Sequence, residues 1–160
     1  MTRTLQFCGL FLAVALLAGG CEAVVAADGT FTSLYDSYFG ATCSGCHSPG
    51  NRAGKEGIES SLNFADKQSA YASLTGGSAA GLQGPAWDAC NGAKFVVSGD
   101  PSKSLIVAVL DQATRNSFDL GNGGSCAGDS ISDMTLKGGE PPAGFVTSLK
   151  AWITAGAPND

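Results

Sequence analysis

The residues best able to do chemistry lie together at Cys43-Ser44-Gly45-Cys46-His47, CSGCH. Two thiols three apart, with an imidazole directly after them, fit three chemistries. They can cycle as a redox dithiol, supply part of a zinc site, or clasp a haem. Structural zinc usually takes four Cys or His ligands, and in the body of the chain only Cys90 and Cys126 remain to complete the set. Adjacent Cys46 and His47 would also strain a single tetrahedral site. A thioredoxin-like dithiol sits in an α/β setting at the start of a helix, whereas here no βαβ alternation is visible and an aromatic helical pattern precedes the motif.

The third chemistry suits the residues best. Two cysteines three apart fall on one side of a helical turn, so their sulfurs can bond the two vinyl groups along one porphyrin edge. His47 is then carried beneath the ring, its imidazole toward iron. Small Ser44 and Gly45 let the backbone come close. His47 is the only histidine of the chain. A lone histidine is ordinarily more often structural than a ligand. Its place directly after C-x-x-C makes it the expected proximal iron ligand.

Four helical segments are expected to position this motif. The first, about Thr30 to Gly40, feeds it, with Phe31, Leu34, Tyr35 and Tyr38 at helical spacing and Phe39 widening the stripe. The second runs from about Lys67 to Leu74, with Asp66 as N-cap and Gly76-Gly77 as stop. The third starts at Asp100-Pro101, a cap followed by proline at the first helical position, and continues through Leu105, Ile106, Val109 and Leu110. The fourth, about Ala143 to Ala155, carries Phe145, Val146, Leu149, Trp152 and Ile153 on one face and stops at Gly156 and Pro158. Phe95-Val96-Val97 reads as a short strand or as extended chain. Residues 114–144 read as a long loop poor in apolar residues. Its Asp119, Asn122, Asp129 and Asp133 have the spacing of turn formers rather than of a compact calcium loop. No internal repeat is visible.

The 160 residues suggest one domain, 28–160, behind a leader at 1–20. Arg3 is followed by an uncharged apolar run from Phe7 to Ala18, too short to span a membrane but suited to an export signal. The competing reading is a buried N-terminal helix. Leu17-Ala18-Gly19-Gly20-Cys21 resembles a bacterial lipobox, which implies lipidation at Cys21, although Ala18 stands where Leu is usual. The alternative is ordinary cleavage after Ala27. Both readings place the mature domain outside the cytoplasm, in the periplasm or anchored to a membrane surface. Cys8 leaves with the signal, so Cys90 and Cys126 remain and are expected to form a disulfide, with two free thiols as the alternative. All 14 acidic residues follow Cys21, and the net charge of the whole chain is -5. With no basic patch, nucleic acid is not an expected partner.

Three stretches together resemble the exported monohaem c-type cytochromes of bacteria. They are FTSLYDSYFGATCSGCH, an aromatic helix running into the clasp; VSGDPSKSLIVAVL; and DMTLKGGEPPAGFVTSLKAWITAGAPN, similar to a methionine loop plus C-terminal helix. The resemblance implies an all-α, cytochrome c-like fold around one covalent haem c, with long glycine-rich loops. Cys43 and Cys46 would carry the thioethers and His47 would bind iron. Met134, the only methionine after Met1, would be the distal ligand by position as well as by elimination. Thr135 stands where the family often has proline. Lys137 is a second candidate for that position, and an open iron is a third. Leu62, Phe64, Tyr71, Leu74, Leu105, Ile106 and Trp152 are candidates to line the pocket, and Arg52, Trp87 and Arg115 to bond the propionates.

With both axial positions filled, substrate cannot reach iron. The expected function is therefore single-electron transfer between redox proteins of the cell envelope, not catalysis. An open sixth position would instead suit a haem-based small-molecule sensor or a peroxidase-like enzyme.

Overall fold

The structure, a computed structural model, describes residues 28–51, 62–79, 90–120 and 126–160. The expected leader with Cys8 and Cys21, and the propionate candidates Arg52 and Trp87, lie outside the described residues. Within them the chain is mostly helical. Its only β pairing there is an isolated antiparallel bridge between Ser78 and Lys94, and Phe95-Val96-Val97 forms no strand.

The first helix begins as α1, Phe31–Leu34, where Thr30 accepts a hydrogen bond from the Ser33 amide at 3.1 Å. It continues as a wider π-helical turn, Tyr35–Phe39, closed by the Gly40 amide on the Tyr35 carbonyl at 2.8 Å. Gly40 accommodates the Tyr35 ring, since a Cβ there would sit 2.8 Å from it. The Tyr35 hydroxyl donates to the Phe64 carbonyl at 3.2 Å. Helix α2, Lys67–Gly76, starts on the Asp66 side chain, which accepts from the Ser69 amide at 2.8 Å. It stops at Gly77, where a Cβ would meet the Ser73 carbonyl and the Phe95 ring.

The expected third helix is broken. A 3₁₀ turn, Pro101–Lys103, is capped by Asp100, and helix α3, Leu105–Ala108, follows it. The break is at buried Ser104. Its hydroxyl donates to the Asp100 carbonyl and accepts from the Val97 amide, both at 2.8 Å, and so holds Ser104 extended between the two turns. Beyond it the expected long loop contains helical pieces. Helix α4 spans Gln112–Ser117 with Asp111 as its cap, a 3₁₀ turn spans Gly128–Ser130, and helix α5 spans Thr135–Gly138. The last helix, α6, spans Phe145–Thr154. It is entered through Gly144 at φ +82° and left through Gly156 at φ +99°, conformations that glycine adopts without strain.

Aromatic side chains hold the first and last helices together. Phe31 lies 5.2 Å from Trp152, and Phe39 lies 5.3 Å from Phe145, ring centre to ring centre. The start of the first helix therefore meets the end of α6, and its end meets the start of α6. The two run antiparallel. All four of these rings are almost wholly buried, and each contributes about 1.5–3 kcal/mol by leaving water. Asp160 closes this arrangement by accepting from the Phe31 amide at 2.6 Å.

Candidate functional site

The antiparallel pairing decides what meets at the end of the first helix. There the chain turns into a 3₁₀ helix, Cys43–Gly45. The amides of Cys46 and His47 both donate to the Cys43 carbonyl, at 3.2 and 2.8 Å. Residues three apart eclipse in such a turn, so Cys43 and Cys46 share one side. Ser44 pins the turn to the helix through its hydroxyl on the Gly40 carbonyl at 2.5 Å.

No disulfide joins Cys43 to Cys46. Cys43 is half-buried against the core and Cys46 is exposed. Burial, and then the proximity of Cys46, push the Cys43 thiol up to about 12. A reactive redox dithiol needs the opposite, a thiol whose acidity is raised by its surroundings. His47 is half-buried, with its ring edge-on to Phe64 at 5.9 Å and its carbonyl accepting from the Phe64 amide at 2.7 Å. Burial lowers its pKa, which favours the neutral imidazole that binds metals.

Helix α5 lies against this turn. The Cβ position of Gly138 is 3.6 Å from Thr42, the residue before Cys43, and the Tyr38 hydroxyl donates to the Gly139 carbonyl at 2.6 Å. Burial pushes the Tyr38 hydroxyl up to about 12, so it stays a donor. Met134 caps the other end of α5, one helical turn or about 6 Å away. It is half-buried against the core, and its amide donates to the Val109 carbonyl at 3.0 Å. Two thiols and an imidazole thus share one turn, and the short helix that starts at Met134 docks its other end against that turn. Comparison with protein-family models, with curated proteins and with solved structures finds no match to this chain.

The donor set fits a covalently held haem, with thiols for vinyl groups and nitrogen and sulfur for iron. It does not fit zinc. Among the described residues no three His, Cys, Asp or Glu side chains are placed to share a metal ion. Cys90 and Cys126, which a zinc site would need, are joined to each other as a disulfide, as the cysteine count led us to expect.

The pocket candidates divide. Phe64 is buried, stacks on Phe39 at 5.2 Å and touches the motif through His47. Tyr71 and Trp152 pack on Phe31 at the far end of the first helix, and the Tyr71 hydroxyl donates to the Ala157 carbonyl at 3.0 Å. Leu74, Leu105 and Ile106 are buried in the core, and Leu62 is half-buried against it. Arg115 is already engaged, because its guanidinium bonds the Ala108 carbonyl at 3.0 Å and Asp133 at 2.6 Å. The sequence reading missed the bond of Tyr38 to α5 and the pairing of Asp133 with Arg115. Its reading of Asp133 as a turn former holds, since Asp133 accepts from the Thr135 amide at 2.9 Å.

Proposed function

We propose that this chain is an exported monohaem c-type cytochrome that carries single electrons between redox proteins of the cell envelope. The observation that carries the reading is the antiparallel pairing of the first and last helices. It brings the turn of Cys43, Cys46 and His47 to the end of the molecule where α5 carries Met134.

In this reading Cys43 and Cys46 would hold the haem covalently, and His47 and Met134 would supply nitrogen and sulfur to its iron. A haem bound in this way supplies a one-electron ferric/ferrous couple. The chain fixes both ligands to packed elements, so little need reorganise when charge changes. Phe64, Phe39 and Phe145 keep water from the side of the site that faces the core. A thioether ligand and an apolar surround both raise the reduction potential. With Met134 in place no position remains for substrate, which is why we read a carrier rather than an enzyme. The disulfide between Cys90 and Cys126 suits an oxidising compartment and the export signal read from the first twenty residues. Lipidation at Cys21 would hold the carrier to a membrane surface.

The test is spectroscopic. The full chain, produced together with haem-attachment machinery, should retain its haem through acid acetone extraction. Its oxidised form should show the near-infrared sulfur-to-iron band, and Met134→Ala should abolish that band. Haem that washes out would sink the reading. A band that persists in Met134→Ala would overturn Met134 as the ligand, and its absence from the wild-type chain would reopen the sensor and peroxidase alternatives.

A further inference from the structure

Arg115 is 8 % exposed, an uncommon state for an arginine unless it is paired. Its Nε donates to the Ala108 carbonyl, at the end of α3, at 3.0 Å. Its terminal nitrogen meets the Asp133 carboxylate at 2.6 Å. The other Asp133 oxygen accepts from the Thr135 amide at 2.9 Å and from the Thr135 hydroxyl at 2.6 Å. Met134 sits between these two anchored residues, and its own amide is tied to Val109, the residue after Ala108. The α3 end, Arg115, Asp133 and the first turn of α5 thus form a closed ring of polar contacts around the Met134 backbone.

A pair with its arginine buried and its aspartate partly exposed is weak support for stability, because desolvating charge offsets much of the attraction. Its better-attested use is to set register. Met134 packs only partly against the core, while the residue before it is held on both carboxylate oxygens, one by Arg115 and one by Thr135. The flanking residues Ser132, Asp133, Thr135 and Lys137 are polar, so hydrophobic packing alone leaves this stretch loosely specified.

We propose that the Arg115–Asp133 ion pair is the positioning device for Met134, holding its thioether where the iron requires it. This rests on the cytochrome reading. Arg115 acts through Asp133 and the backbone, not by touching the haem. It therefore serves ligation rather than haem capture, which belongs to Cys43 and Cys46. Tyr38 secures the other end of α5 through Gly139, so loss of the pair frees the Met134 end while the Gly138 end stays docked.

The test compares wild type with Arg115→Met and Asp133→Asn in the full haem-loaded chain. Each variant should keep covalent haem and an unchanged far-ultraviolet circular dichroism spectrum. The ratio of Met134-ligated to unligated protein, read from the near-infrared band, should fall about tenfold or more. In hydrogen exchange the Met134 amide should lose protection while amides of α6 keep theirs. Arg115→Lys restores charge but cannot span Ala108 and Asp133 together, so the band should recover only in part. Should the single variants fail to fold, the apolar double variant Arg115→Met with Asp133→Leu removes the buried charges. It should fold and still lack the band. A full band in any folded variant lacking the pair overturns the positioning role and leaves the cytochrome reading standing. A wild-type chain without covalent haem, or without the band, overturns both.

Discussion

Gly40→Ala separates two opposing effects just before the motif. Gly40 has φ -70° and ψ -40°, ordinary helical values, so its backbone accepts alanine. Helix propensity alone would make the change stabilising by about 0.5–1 kcal/mol. The added Cβ, however, would lie 2.8 Å from two atoms of the Tyr35 ring and 3.2 Å from its carbonyl. Restoring ordinary contact requires a retreat of about 0.6 Å. The ring is not free to give it, because its hydroxyl is held by the Phe64 carbonyl at 3.2 Å. Overpacking of this kind costs about 1–3 kcal/mol, and the expected net is a loss of about 1–2 kcal/mol. The cycle closes with Tyr35→Ala. In that background the obstacle is gone, and Gly40→Ala should stabilise by the propensity term alone, giving a coupling of about 2 kcal/mol. Urea unfolding of the haem-loaded chain measures all four corners. An effect of the same sign and size in both backgrounds would refute the steric account. A wild-type-background variant at least as stable as its parent would do the same.

Two further outcomes are expected. The disulfide closes a separation of 36 residues, so replacing Cys90 and Cys126 by alanine should cost about 4 kcal/mol in the chain-entropy model, or roughly 10–15 °C in a thermal scan; a loss below about 1 kcal/mol would show that the cross-link barely restricts the unfolded chain. Asp111 is partly buried, which alone would raise its pKa, but hydrogen bonds from Lys150 and Thr114 outweigh this and lower it below 3.8. Its contribution to stability is then full above about 3.8 and fades as pH falls through the lower folded value. Asp111→Asn should flatten the acid limb of a stability–pH curve, and an unchanged slope between about pH 2 and 4 would contradict the assignment.

Strong periodicity and explicit caps made three helices legible. The Phe31 stripe, Asp66 with Gly76-Gly77, and the apolar face of α6 all lie where sequence put them, within a residue or two at the ends. What failed depended on single side chains choosing between partners. Ser104 bonds the backbone on both sides and interrupts a run of apolar residues that would otherwise read as one helix. Helix α4, Gln-Ala-Thr-Arg-Asn-Ser, has no apolar period, and its cap at Asp111 lies between the run read as the third helix and the segment read as loop. The π turn leaves no pattern, because its residues continue the same apolar stripe as α1. In the site, the motif and Met134 were legible as residue types. Their support was not: Arg115 was read as a propionate donor because its charge was visible and its partner, 18 residues away, was not.

The antiparallel pairing also gives the molecule two unlike poles. The described chain begins at Asp28, three residues before the Phe31 that packs on Trp152, while CSGCH starts near the opposite pole, nine residues beyond the Leu34 end of α1. Were Cys21 lipidated, as the lipobox resemblance implies, the lipid would join the chain seven residues before Asp28. An attachment so close to Asp28 would lie nearer in sequence to the Phe31 pole than to the pole that carries the thiols and the imidazole. A carrier tethered in this way would be held near one pole and exchange electrons nearer the other.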